Sequence, residues 1–254
     1  MFKKTIILLI AFLGVAAVLF VRSKTISAHS LQQSDVWVIE NQKVCKVTSK
    51  GTVQPVYYNS QLGEPTSIDA TDPFRILVFY QQHRQIEILD NHGSRIGNTI
   101  NLSSLNLGEV SQVCRSSRGG IWLYHRETNE LLLTNSQGSR IISQFSLVSH
   151  DSKTAPDILV EANGIIYLGF GNSIERYTPY GVRLEPINIS YEHTFIVSNQ
   201  YLWIVNNGFA ESRLLSNTSI VADKFKIPYK KTPVVIGSQL YFLKDGKLNI
   251  SEKI

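Results

Sequence analysis

The stretch DKFKIPYKKTP at 223–233 sets Lys224, Lys226, Lys230 and Lys231 around Phe225 and Tyr229. Ammonium groups interleaved with aromatic rings suit an anionic membrane surface, an acidic partner or a polyanionic glycan. Lys224, Lys226, Tyr229, Lys230 and Lys231 are therefore the candidate partner-binding residues. Alternating lysines are also how an exposed outer strand protects its edge, and this second reading stands beside the first. Catalytic chemistry has less to work with. The histidines at 29, 83, 92, 125, 150 and 193 are scattered, and no H-E-x-x-H, G-x-S-x-G or G-x-x-x-x-G-K run occurs. Gly169-Phe170-Gly171 has no third glycine or following helix, so it reads as a hairpin turn and no cofactor is expected. Cys45 and Cys114 are the only two cysteines and belong to no C-x-x-C pair, which removes the common thiol-redox and zinc readings and leaves two buried thiols as the expected state.

The elements that position these residues begin after a distinct N-terminus. MFKKTIILLIAFLGVAAVLFVRSK places an unbroken apolar run at 6–21 between Lys3, Lys4 and Arg22, Lys24. That length lies between a signal-peptide core and the roughly 20 residues that span a bilayer. Residues 1–24 are read as a signal anchor or signal peptide, one hydrophobic helix, with the charge balance placing everything beyond residue 24 outside. The expected location is extracytoplasmic or periplasmic, in the inner membrane if the segment stays attached. The formal charge of +5 falls to about +1 without those four basic residues. The rest of the chain has no basic excess of the kind nucleic acid requires.

Residues 35–254 repeat. VWVI at 36–39, LVFY at 77–80, IWLY at 121–124, IYLG at 166–169, LWIV at 202–205 and LYFL at 240–243 align on Trp37, Val78, Trp122, Tyr167, Trp203 and Tyr241. The period is near 40 residues. Each run is followed by a second strand-like segment, then in the first four by a turn at Gly51, Gly93, Gly138 or Gly181, with Asn217 in the fifth. Gly and Asn both accept positive φ, so one bend serves all five. A third segment follows the bend, and segments such as TSIDA and PDILVEA lead into the next run. The pattern predicts an all-β fold of six blades with four short strands in about 40 residues each. The last blade lacks a fourth segment and the first lacks an inner one. Residues 25–34 are read as a linker or closing strand that fills one of these places.

Runs of this kind, a Gly-Gly or Asn-Gly loop before IWLY or LWIV and then a hairpin and a glycine turn, resemble six-bladed β-propellers of the NHL and YVTN type. The resemblance covers nearly all of 35–254 and implies blade geometry without chemistry. More loosely, SIDATDPFRILVFY at 67–80 is similar to uncharacterised exported envelope proteins of Bacteroidota, which implies a compartment. Propeller enzymes resembling the SMP-30 lactonases hold a divalent metal at the channel mouth. By that resemblance Asp69, Asp72, Glu161, Asn163, Asn199 and Asn207 are the residues to test as oxygen ligands. Asp72 before Pro73 and Asn163 before Gly164 have a simpler role as turn formers, which leaves Glu161. The expectation is a non-catalytic envelope module that binds a protein or glycan partner. The alternative is an exported metal-dependent hydrolase or lactonase.

Overall fold

A computed structural model of the chain describes residues 36–47, 52–148, 154–192, 195–198, 200–226, 233–236, 239–244 and 247–250; for Ser198 and from Pro233 onward it describes the backbone alone. These residues form 22 strands and two short 3-10 turns. The first sheet contains β1 (Val36–Glu40), β2 (Lys43–Val47) and β3 (Val53–Tyr57), and the second β4 (Ser67–Asp69), β5 (Ile76–Tyr80), β6 (Gln85–Leu89) and β7 (Ile100–Asn101). The third has β8 (Val110–Arg115), β9 (Ile121–His125), β10 (Glu130–Thr134) and β11 (Ile141–Ser146), and the fourth β12 (Ile158–Ala162), β13 (Ile165–Gly169), β14 (Ile174–Tyr177) and β15 (Arg183–Ile187). The fifth has β16 (Phe195–Ser198), β17 (Tyr201–Asn206), β18 (Phe209–Leu214) and β19 (Asn217–Lys226), and β20 (Pro233–Ile236), β21 (Gln239–Lys244) and β22 (Lys247–Ile250) form a last sheet. All pairing is antiparallel between consecutive strands.

Each sheet is an up-and-down meander, and successive sheets pack face to face through apolar seams. Trp37, Ile39 and Val44 of the first meet Ile68, Ile76, Val78 and Tyr80 of the second. Leu77, Phe79 and Ile86 meet Val113, Leu123 and Leu132 across the next seam. Trp122, Tyr124 and Leu133 meet Leu159, Ile166 and Tyr177 across the third, and Tyr167 and Ile174 meet Phe195, Leu202 and Ile204 across the fourth. Inner strands β4, β8, β12 and β16 contact one another in that order. This is a β-propeller, in which alternate side chains of every strand enter opposite seams.

Two expectations change. The count of six four-stranded blades gives way to five sheets packed as blades, the first of them three-stranded, followed by a three-stranded sheet described by backbone pairing alone. The alignment of Val78 with the tryptophans is one residue out. Trp37 and Trp122 enter the seam with the following blade, as Leu77 does, whereas Val78 faces the blade before it. A one-residue slip moves a side chain to the opposite face of a sheet. The N-terminal apolar run and residues 25–34 lie outside the described residues. Among those described, no helix is long and apolar enough to cross a membrane. Cys45 and Cys114 are free and buried in different seams. Burial pushes the Cys45 thiol up to about 11 and Cys114 well above its ordinary range, the nearby carboxylates Asp69 and Glu161 adding to the effect on Cys114.

Candidate partner-binding face

Three blades share one local sequence running from the third strand through the turn that follows it: EILDNHGSR at 87–95, LLTNSQGSR at 132–140 and ERYTPYGVR at 175–183. The glycine of each has positive φ, at 85°, 65° and 84°. A Cβ there would also meet the outer strand of the preceding blade, Val56 at 2.8 Å, Ile100 at 2.6 Å or Phe145 at 2.9 Å. The turn is therefore restricted to glycine by conformation and by space. Two residues later an arginine follows, and its partner differs from blade to blade.

In the fourth blade Glu175, almost fully buried, accepts from Arg183 Nε at 2.9 Å and Nη2 at 3.2 Å. These bonds raise the guanidinium pKa and hold it charged. In the second blade Glu87 is fully buried, accepts from Asn59 at 3.0 Å and lies 3.5 Å from Arg95. Burial beside Glu87 pushes the Tyr57 hydroxyl up to about 12. The third blade has Leu132 at this position, packed in the seam with Leu77 and Phe79. No carboxylate of the strand faces Arg140, which is exposed, and its guanidinium makes no side-chain bond among the described residues. In the fifth blade Glu211 takes Arg213 at 2.7 Å and Lys224 at 2.9 Å. Burial raises the Glu211 pKa, but Lys224 and Arg213 together outweigh it, and the carboxyl lies below its usual range.

Arg140 belongs to one end of the propeller, where the turns between first and second strands and between third and fourth strands gather. The β8–β9 turn, Ser116 to Gly120, is clamped there from both sides. Asp69 of the second blade accepts from the Arg115 backbone N–H at 2.6 Å, and Asp72 pairs with the Arg115 guanidinium at 3.1 Å. Glu161 of the fourth blade accepts from Ser117 N–H at 3.2 Å, from the Ser117 hydroxyl and from Trp122 Nε1 at 2.6 Å. At Gly120 a Cβ would stand 1.9 Å from the Thr134 carbonyl oxygen. The β4–β5 and β8–β9 turns each reach over the following blade. Arg75 donates to the Ser136 carbonyl at 3.0 Å, and the Arg118 guanidinium lies 5.3 Å from the centre of the Tyr180 ring. Phe74 and Tyr180 are 70% and 81% exposed, far more than ordinary burial of aromatic rings leaves. Arg75 and Arg115 line a small cavity of about 30 Å³ with Leu77, Gly119, Gly120 and Ile121.

At the opposite end gather the hairpins and the inter-blade links, where Glu109 pairs with Arg126 at 3.1 Å. A cleft of about 190 Å³ is lined by Gln81, Arg84, Gly108, Glu109 and Glu127. Buried His125 beneath it accepts from Gly108 N–H at 3.1 Å through Nε2, and its Nδ1 lies 2.6 Å from the Thr128 hydroxyl. Thr128 in turn donates to Glu130 at 2.7 Å. Both ring nitrogens of His125 are thus engaged in holding the link between the second and third blades.

Of the expected partner-binding residues, Lys224 sits on β19 in its ion pair with Glu211, its ammonium 4.5 Å from the centre of the Phe209 ring. Lys226 is exposed at the end of that strand, and Tyr229, Lys230 and Lys231 lie outside the described residues. Of the oxygen ligands considered, Asp69 Oδ2 and both Glu161 oxygens are committed to the clamp, and Asp69 Oδ1 accepts from the Thr71 N–H and hydroxyl. Asp72 also accepts from Phe74 N–H, Asn163 and Asn207 are positive-φ turn residues, and Asn199 is outside the described residues. Among the described residues no three His, Cys, Asp or Glu side chains are placed to share a metal ion. The Gly-x-Arg repeat was present in the sequence at 93–95, 138–140 and 181–183. Its meaning was not, because the distinguishing residue lies eight positions before the arginine.

No protein-family model and no curated protein matches this sequence. Solved structures do. A streptogramin B lyase is similar with a TM-score of 0.58 and 14% identity over 91% of this chain and 83% of that one. A chain of the nidogen/laminin complex gives 0.57 and 15% over 80% and 79%. The Pan2 WD40 domain of Neurospora crassa gives 0.57 and 9% over 88% and 73%. At these identities the likeness is one of fold. It supports the propeller and carries neither the number six nor the kinship with envelope proteins of Bacteroidota.

Proposed function

We propose that this chain is a non-catalytic propeller that docks a protein partner on the turn end, the face bearing Phe74, Arg118, Arg140 and Tyr180. One observation carries the reading. The carboxylates at that end are consumed in building it, while aromatic rings and guanidinium groups, the side chains that dominate protein-binding hot spots, are left exposed. Among the similar structures, one propeller belongs to the nidogen/laminin complex and another is a lyase, so the fold serves both binding and catalysis. The test is site-specific photocrosslinking in the producing cell. A crosslinker at Phe74 or Tyr180 is expected to yield a discrete protein adduct, and one at Glu109 none. Stoichiometric bound metal together with an ester- or lactone-hydrolysing activity lost in Glu161→Gln would replace this reading with the hydrolase one.

The apolar run at 6–21 supports placing the propeller outside the cytoplasmic membrane, anchored or released. An anchored chain stays with membranes through a carbonate wash and begins at or near Met1, and a mature start near His29 would overturn the anchor. We also read the ring as closed by β20–β22. The far faces of the end sheets, Val38 and Cys45 on one and Trp203 and Phe225 on the other, are buried, and β20–β22 is the sheet available to cover them.

A further inference from the structure

We infer that the partner presents an acidic, aromatic-bearing peptide segment, and that the seam between the second and third blades is where its carboxylates are read. The inference rests on the docking reading above and adds the chemistry of the partner. The cations of the turn end fall into two kinds. Arg183 is committed to a carboxylate of its own third strand, Arg115 to Asp72, and Arg95 lies beside Glu87, so these three serve the fold. Among the described residues, Arg140 has Leu132 where its counterparts have a glutamate, Arg118 lies against the Tyr180 ring with no carboxylate partner, and Arg75 is held through one nitrogen by a carbonyl oxygen with no carboxylate partner.

Geometry then groups them. Arg75 reaches the turn that ends in Arg140 and flanks the cavity of about 30 Å³ opposite Arg115, which is itself paired with Asp72. That volume accepts a single small group such as a carboxylate tip, and the planar fork of Arg75 matches carboxylate geometry. Phe74, 70% exposed and adjacent to Arg75 in the chain, offers an apolar platform beside that point. On the far side of the β8–β9 turn, Tyr180 under Arg118 offers a second platform. An extended segment crossing from the second to the fourth blade meets aromatic, cationic and aromatic surface in turn. Charge complementarity selects an acidic occupant, and the aromatic platforms favour a peptide with rings of its own.

The test uses the full chain in neutral detergent and a fluorescein-labelled peptide, (Glu-Phe-Glu)3, with (Lys-Phe-Lys)3 and alginate as comparison ligands, read by anisotropy at low and moderate salt. The acidic peptide is expected to bind, more weakly as salt rises, and the basic one to show no binding. Arg118→Glu combined with Arg140→Glu is expected to weaken the acidic peptide by about tenfold or more, as reversal of interface charges does, with an unchanged melting temperature because both side chains lie outside the seams. Phe74→Ala is expected to weaken it by a smaller factor, and Lys224→Glu to leave it unchanged. Equal binding of alginate with the same arginine dependence overturns the peptide assignment in favour of a polyuronate. Peptide binding that survives the double reversal but falls with Lys226→Glu overturns the location and moves the site to the outer strand. A crosslinked partner at Phe74 with no peptide binding leaves the docking reading intact and sinks this one.

Discussion

The second and fourth blades bury a glutamate where the third buries a leucine, and the same arginine follows eight residues later in all three. Glu175 draws Arg183 inward into a two-point bond and Glu87 lies beside Arg95, whereas Leu132 fills its seam with carbon and leaves Arg140 to solvent. One difference in a repeat thus accompanies the change from a structural cation to a surface one. The change also coincides with the blade whose β8–β9 turn is clamped by carboxylates from both neighbours. The third blade is held by apolar packing and by its neighbours' acids, and its own charged groups remain available.

The largest expected effect tests that apolar support. Trp122 is fully buried, stacks edge-on with Phe145 at 5.9 Å and donates to Glu161. Trp122→Ala should cost about 3–5 kcal/mol, the range for a buried aromatic cut to alanine, measured by urea unfolding. A loss well under that range would mean that the third blade draws its stability from elsewhere.

Next comes the ionic seam. Arg183→Leu removes both arginine bonds from buried Glu175, which should cost about 2 kcal/mol, the scale for lost hydrogen bonds to a buried charged group. Adding Glu175→Leu recreates the arrangement of the third blade and should recover most of that loss, because apolar replacement of a whole buried pair is often neutral. Arg95→Leu should cost less than Arg183→Leu, since Glu87 keeps Asn59 and Thr99. If the double variant is no better than the single one, the glutamate contributes something beyond its pairing.

Much of the fold was legible in the sequence, and the reasons are specific. Trp37, Trp122, Tyr167 and Trp203 fall on the same strand of their blades because a bulky residue is needed at each seam, so period and chemistry coincide. The slip at Val78 occurred because ILVFY is apolar at every position and buried on both faces, which removes the alternation that fixes register. The candidate site was much less legible. The lysines at 224 and 226 stand close in sequence, and Lys224 pairs across the ladder with Glu211. The residues of the turn end come from 72–75, 115–120, 136–140 and 180, and only the stacking of blades brings them to one surface.

A smaller effect concerns acid. The Glu211 carboxyl lies below its usual range despite burial, because Lys224 and Arg213 favour the charged form. A depressed folded-state pKa contributes stability that is complete above the unfolded value, about 4.3 for glutamate, and is lost as pH falls through the folded one. Glu211→Gln should therefore lower stability at neutral pH and make the loss on acidification shallower, followed by melting from pH 7 to pH 3. An unchanged acid slope would assign the lowered pKa no part in the stability of the fifth blade.

The smallest expected effect bears most directly on the comparison. Arg140→Ala removes a guanidinium with no side-chain bond among the described residues, so stability should stay within about 0.5 kcal/mol, the usual range for a surface substitution. Arg183→Ala, at the equivalent position of the fourth blade, should fall outside that range. Leu132→Glu supplies the third blade with the carboxylate its neighbours have. If blade geometry alone decides the pairing, Arg140 should then turn inward as Arg183 does, so that adding Arg140→Ala to Leu132→Glu becomes costly where Arg140→Ala alone was not. A double-mutant cycle over these two positions reads this as a coupling energy. Zero coupling would mean that the third blade differs from its neighbours in backbone as well as in side chain, and that Arg140 was never equivalent to Arg183.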